Sequence, residues 1–301
     1  MKRAFILSLF IISVSVANVL NYINSIRVHS GASPLKYSKI LSFSAKKHAI
    51  YLETNREFGH SENRNKINFF GAMPWDRIIN AGFGSKAVVE NISFGERSYN
   101  ASIDKIMATV YHRLAFLETK IDSIGFAKFD NIYVYDMGNS KISSLCKKSF
   151  LIKGSAMQNL CKNRYKEIPL NIFKNVLNKT NSYSKDIIIY PYSKQKDVAV
   201  SLANERPKFT YKRNCGLPIS IIFNNYYYKQ VFIKNFELKV KNRVVPSKIV
   251  TFRNDRRKKL KKNSFVLLPL QKLKHHTKYR VFLQTIINGK LKKVSWSFTT
   301  R

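Results

Sequence analysis

The chain of 301 residues is long enough for two domains, each with its own core. Its 45% hydrophobic and 13% aromatic residues exclude a disordered chain, and beyond the first residues no apolar run approaches a membrane span. The formal net charge is +37 and unevenly distributed: residues 18–140 hold 15 Lys and Arg against 11 Asp and Glu, while residues 141–301 hold 37 against 6. A half so basic suits an anionic surface, such as lipopolysaccharide, phospholipid headgroups or a wall polymer.

In chain order, the first residues read as an export leader. Met1, Lys2 and Arg3 supply positive charge, an apolar run follows, and Ser15 and Ala17 place small residues where a signal peptidase cuts. The expectation is a signal peptide over 1–17, with the mature chain outside the cytoplasm. A helix then opens at 19–29, carrying Leu20, Ile23 and Ile26 on one face, and Gly31 and Pro34 stop it. A second helix is predicted over 38–56 from the recurrence of Leu41, Ala45, His48, Ala49 and Leu52. A third, over 74–81, has Pro74 at its start and Gly82 beyond its end. A fourth is expected over 102–117. Strand patterns follow at 124–127 and 131–136, so helices and a few strands compose a layered α/β domain.

Residues 141–184 read as a linker with a helix near 170–177. They contain Cys146 and Cys161, and an oxidising compartment allows a bridge between the two. From 185 onward the hydrophobic period becomes two. Strands are expected at 187–190, 198–202, 218–223, 231–240, 248–252, 265–268, 279–287 and 291–299, with Asn288-Gly289 as the hairpin turn between the last pair. The stretch carrying Arg253, Arg256, Arg257, Lys258, Lys259, Lys261 and Lys262 falls between two strand patterns, which makes it a basic hairpin loop and a candidate anionic-surface contact. Cys215 reads as a buried structural thiol, His48 as a core histidine, and Glu62 as a solvated surface residue.

Five fragments occur in a fixed order over residues 20–126: Leu20-Asn21 with Arg27, Gly31 and Pro34-Leu35; His48-Ala49 with His60-Ser61; Asp76-Arg77 with Ala81-Gly82-Phe83; Glu90-Asn91-Ile92; and His112-Arg113 with Ile124-Gly125-Phe126. The series resembles the CAP superfamily of cysteine-rich secretory, antigen 5 and pathogenesis-related proteins, in its exported bacterial form. The resemblance implies an α+β fold, a CAP-type α-β-α sandwich over 18–140. It also implies a cleft where His60, Glu90 and His112 converge, with two His and a carboxylate able to hold a divalent ion such as Zn²⁺. The second Glu of the family's cleft has no counterpart here, since Ala108 and Thr109 occupy the matching helix. Residues 185–301 resemble the Ig-like β-sandwich modules that follow such domains.

Two functions follow from that resemblance. One is non-catalytic binding of a small apolar, lipid, peptide or metal ligand in the cleft, with the basic sandwich docked on an anionic envelope surface. The other is a divalent-metal-dependent hydrolase, a peptidase or esterase, working in the same cleft. Export argues against a nucleic-acid partner, and no nucleophile elbow, P-loop or dinucleotide fingerprint is present.

Overall fold

The computed structural model describes residues 2–210 and 214–301, with the side chains of the first helix described from Val16 onward. The expected leader over 1–17 therefore lies almost wholly outside the described side chains. Among the described residues no helix is long and apolar enough to cross a membrane. The chain forms two compact units. The first comprises residues 1–28, 33–104 and 120–177; the second comprises 29–32, 105–119 and 178–301. The continuous 18–140 span carrying the motifs thus contributes to both.

The first unit holds most of α1 (Lys2–Ser30), β1 (Lys36–Tyr37), α2 (Lys39–Asn55), α3 (Pro74–Asn80), β2 (Val88–Phe94) and most of α4 (Tyr99–Met107). After α5 (Tyr111–Phe116), which belongs to the second unit, come β3 (Ser123–Phe129), β4 (Ile132–Gly138), α6 (Ser140–Leu145), β5 (Ala156–Met157) and β6 (Ile168–Pro169). The helix α7 (Leu170–Ser182) completes it up to residue 177. The strands β1-β3-β4-β2 form one sheet, antiparallel except for the short β1.

Helix α2 is the element that covers this sheet. Ser38 caps it by accepting the Leu41 N–H, and Leu41, Ser44, Ala45, His48, Ala49, Tyr51 and Leu52 form its buried face. Removing each of the leucines from water contributes roughly 1.5–3 kcal/mol. The helix comes so near β3 that a Cβ on Gly125 would lie 2.0 Å from the Ser42 nitrogen, which is why only glycine fits there. β4 is buried at every position. Register places Glu90 of β2, Asp136 of β4 and Gly125 of β3 side by side in one row across three strands. Opposed residues in antiparallel pairs share a face, so both carboxyl groups lie on the face that Gly125 presents to α2.

Sequence periodicity located α2 and α3 within one residue at each end but did not indicate β2. Its centre, Glu90-Asn91, is polar and yet buried, and a buried polar pair removes the alternation on which strand prediction depends. The expected helix over 102–117 is two helices, α4 and α5, for a reason given in the Discussion.

In the second unit, β7 (Ile187–Tyr190), β8 (Ile219–Phe223), β9 (Val231–Val240), β10 (Arg243–Val244), β11 (Ser247–Val250), β12 (Ser264–Pro269), β13 (Lys278–Ile287) and β14 (Lys290–Thr299) form two four-stranded antiparallel sheets, ordered β11-β12-β8-β7 and β10-β9-β13-β14. β9 packs against β11 and β12, which joins the sheets. β8 and β12 are buried throughout, and Val266 and Leu268 pack with Val110, Phe209, Cys215, Val250 and Leu260. Asn288 and Gly289 both adopt positive φ, at 49° and 82°, as the hairpin between β13 and β14 requires. Residues 198–202 do not form the expected strand and contribute only isolated bridges from Val198 and Ser201.

Candidate functional site

The site is built on α2, β2, β4 and the loop between α2 and α3. Tyr51 holds that loop: its hydroxyl donates to Glu57 at 2.7 Å and accepts the Asn63 N–H at 2.8 Å. Asn55 and Asn80 donate to the carbonyls of Ile67 and Phe70. So anchored, the loop brings His60 to β2, where Nδ1 lies 2.8 Å from Glu90 Oε1. The His60 side chain is 40% exposed, whereas that of Glu90 is 1% exposed. A half-exposed imidazole is therefore oriented by a buried carboxylate.

Arg77 ties the arrangement together from below. Fully buried on α3, its Nη2 donates to both Glu90 oxygens, at 2.8 and 3.0 Å, and to the His60 carbonyl at 2.9 Å, while Nη1 donates to the Gly71 carbonyl at 3.1 Å. A guanidinium fork suits this multiple contact in a way an ammonium does not. His48, in the buried face of α2, has Nδ1 2.8 Å from Glu62 Oε1 and Nε2 3.0 Å from the Gly59 carbonyl. Glu62 also accepts the Phe70 and Gly71 N–H groups, and the second Glu90 contact of His48 is 3.8 Å. His48 is the core histidine expected. Glu62 is not the solvated residue expected: it is 5% exposed, because its carboxylate satisfies His48 and two loop amides at once.

The two neighbouring carboxyl groups have opposite electrostatics. Burial alone pushes the Glu90 carboxyl up, but the His48 charge, the hydrogen bond from His60 and the Arg77 guanidinium hold it down at about 2. Asp136 is pushed well above the usual aspartate range, first by burial and then by the charge on Glu90. The Ser44 hydroxyl of α2 and the Glu90 carboxylate are its hydrogen-bonding neighbours, the first favouring its charged form and the second its protonated form. The row thus pairs an ionised Glu90 with an Asp136 that keeps its proton, since two adjacent buried charges of one sign are costly.

Of the three expected cleft residues, His60 and Glu90 meet in the first unit, and His112 lies on α5 in the second. There His112 Nδ1 is 3.4 Å from Glu205 Oε2. Arg113 beside it is fully buried, with Nη1 donating to the Pro218 carbonyl and its guanidinium stacked over Tyr190 at 4.6 Å. His48, Glu62, Arg77 and Asp136 belong to the network but were absent from the expected set. Arg77 lay within the Asp-Arg motif, and His48 occupied the inward stripe of α2. Asp136 carried no local signal, because only strand register places it beside Glu90.

These residues do not fit a divalent ion. Both oxygens of the Glu90 carboxylate are already engaged by Arg77 or His60, both ring nitrogens of His48 face acceptors, and a guanidinium stands where a cation would balance the carboxylates. Among the described residues no group of three or more His, Cys, Asp or Glu is arranged to hold a metal.

Cys146 and Cys161 are joined by a disulfide, with Cα atoms 5.5 Å apart. It anchors α6 to the segment ahead of β6 within a cluster of Ile142, Leu145, Leu160 and Ile168. Cys215 is buried in the second unit. The basic stretch is indeed the loop between β11 and β12, and Arg253, Arg256, Arg257, Lys258, Lys259, Lys261 and Lys262 are all exposed. The loop folds around buried Asp255, which accepts the N–H groups of Arg257, Lys259 and Leu260 at 2.7–3.1 Å and the Tyr111 hydroxyl at 2.5 Å. Lys261 pairs with Glu118.

Comparison with known proteins bears on residues 20–131, most of which lie in the first unit. Residues 20–131 match the model of the cysteine-rich secretory protein family, CAP. An extracellular protein containing an SCP domain from Bacillus anthracis is similar over 41% of this chain and 39% of its own length, at 18% identity and a TM-score of 0.38. An outer surface protein from Borrelia burgdorferi is similar over 42% of this chain and 92% of its own, at 24% identity and a TM-score of 0.36. The chain therefore spans about two fifths of the Bacillus protein. No curated protein matches. The ordered motifs and the family match agree on one stretch: residues 20–131 are the part of the chain that matches the cysteine-rich secretory protein (CAP) family.

Proposed function

We propose that the chain is an exported binding protein, in which the CAP domain takes a small ligand at His60 and the basic second unit rests on an anionic envelope surface. The observation that carries the first half is the engagement of Glu90 by Arg77 and His60. With Arg77 on both oxygens and His60 on one, the carboxylate serves as an orienting group, and held at about 2 it is a weak base. What reaches solvent is the imidazole and, two residues before it, Phe58, which is 69% exposed and rests on Phe94 at 4.9 Å. A polar ring beside an exposed aromatic suits a ligand with an apolar body and a polar end. Charge supports the second half, since the second unit holds 31 of the 54 Lys and Arg against 6 Asp and Glu.

Titration of the full chain with palmitate as probe, and with Zn²⁺ alone, tests the ligand reading. The expected result is saturable palmitate binding weakened about tenfold by Phe58→Ser and also weakened by His60→Ala, with no saturable Zn²⁺ binding. Zn²⁺ binding that disappears in His60→Ala, together with metal-dependent hydrolysis of a peptide panel, would overturn it in favour of a hydrolase.

A further inference from the structure

The long sheet of the second unit has an inner and an outer face, and its outer face is not uniformly polar. Along β13, Tyr279, Val281, Leu283, Thr285 and Ile287 are buried, so the alternate residues Arg280, Phe282, Gln284 and Ile286 form the outer face. Register aligns Ile286 with Phe232 of β9 on one side and Leu291 of β14 on the other. This apolar row crosses three strands beside the Asn288-Gly289 turn. Phe232 is 54% exposed and Leu291 is 60% exposed.

A β-bulge creates the row. The register of β9 against β13 shifts between Gln284 and Thr285, so Asn235 faces Gln284 but Ile233 faces Thr285, and Lys234 is the extra residue. Without that insertion Phe232 would fall on the inner face. The bulge instead turns a phenylalanine outward and leaves Lys234 exposed at its shoulder.

Cations and interfacial aromatics surround the row. Lys229, Lys234, Lys290 and Lys293 are all exposed, and Lys293 faces Gln284 one row away. Asn288 N–H donates to the Gln230 carbonyl at 3.2 Å, which holds the segment before β9 against the turn. That segment carries Tyr226 and Tyr227, 45% and 42% exposed. Lysines on the edge strand β14 would by themselves be a guard against edge pairing. Leu291 within that same strand, and Phe232 across the sheet, serve no such purpose.

We propose that this end of the second unit inserts its Phe232–Ile286–Leu291 row into the headgroup–acyl boundary of an anionic phospholipid bilayer, with the surrounding lysines on lipid phosphates and Tyr226 and Tyr227 at the interface. An apolar row that enters the boundary, a cationic rim that attracts anionic headgroups and tyrosines at headgroup depth are the three components of peripheral membrane binding. The inference deepens the proposed envelope docking and rests on it: it names phospholipid as the surface and the hairpin end, rather than the loop between β11 and β12, as the part that enters it.

Vesicle co-sedimentation of the full chain tests both levels. The probes are phosphatidylcholine vesicles with and without phosphatidylglycerol. The variants are Phe232→Ser with Leu291→Ser, and Arg256→Glu with Arg257→Glu. Wild type is expected on the anionic vesicles only, and the apolar double variant is expected to bind roughly tenfold more weakly. In Leu291→Trp, tryptophan emission shifts further to the blue than that of wild type, with its exposed Trp75 and buried Trp296, when anionic vesicles are added, a difference that requires burial of position 291 in lipid. Wild-type affinity in the apolar double variant, with loss confined to the loop variant, overturns the hairpin-end assignment and leaves envelope docking standing. Absence of wild-type binding to anionic vesicles, or equal binding to neutral ones, overturns the assignment to an anionic bilayer. Failure to bind isolated anionic wall polymer as well would overturn envelope docking altogether.

Discussion

At the scale of single residues, the Glu90–Asp136 pair makes a prediction whose sign is fixed by which partner keeps its proton. The folded Asp136 carboxyl sits well above its ordinary range, driven by burial and by Glu90. As pH rises past about 4 the unfolded chain releases this proton while the folded chain retains it, so the folded state loses ground with increasing pH. Glu90 acts in the opposite direction: its carboxyl is held at about 2 against the cost of burial, and its stabilisation is complete above the unfolded value near 4.3 and fades as pH falls towards 2. Asp136→Asn removes only the first effect. Urea unfolding at several pH values should find the variant more stable than wild type at pH 7, with the difference closing below about pH 4. A variant less stable at pH 7 would mean that Asp136 is ionised in the fold. Of these residues His60, Glu90 and Arg77 were legible as motif members. Asp136 was not, because its partner is set by a cross-strand register that nothing near it in sequence encodes.

The split between α4 and α5 shows how an element boundary can be decided from a distance. Apolar periodicity runs through Ile103, Ile106, Met107, Val110 and Leu114 without interruption, and on that pattern one helix is the natural reading. Yet the helix stops at Met107 and restarts at Tyr111. Thr109 turns its hydroxyl back to the Ile106 carbonyl at 2.6 Å, and Glu205 accepts the N–H groups of Val110 and Tyr111 at 3.0 and 2.9 Å. A carboxylate at these orphan amides supplies both hydrogen bonds and a favourable dipole interaction, so a residue 95 positions away starts α5. By contrast, α2 brings its own cap in Ser38, and its start was read to within one residue. Glu205→Ala should destabilise the second unit by about 1–3 kcal/mol, since it strands two amides in a buried setting. A chemical denaturation curve superimposable on wild type would refute this account of the break.

For the molecule as a whole, the two units differ in what holds them, and reduction should separate them. The disulfide Cys146–Cys161 closes a loop of 15 residues inside the first unit, a constraint on the unfolded chain worth about 3 kcal/mol. The second unit has no such link. Its stability comes from two sheets buried against each other, from Asp255 at the centre of the basic loop, and from Trp296, whose indole donates to the Pro191 carbonyl at 2.9 Å. The charge asymmetry that suggests docking lies mainly in the second unit as well. Thermal unfolding with and without dithiothreitol should therefore lower the transition of the first unit and leave that of the second in place. Anionic-vesicle binding should persist at temperatures between the two transitions, provided reduction leaves the first unit the less stable. Loss of vesicle binding together with the first transition would place an essential lipid contact in the first unit, and the basic half would then owe its lysines to solvation alone.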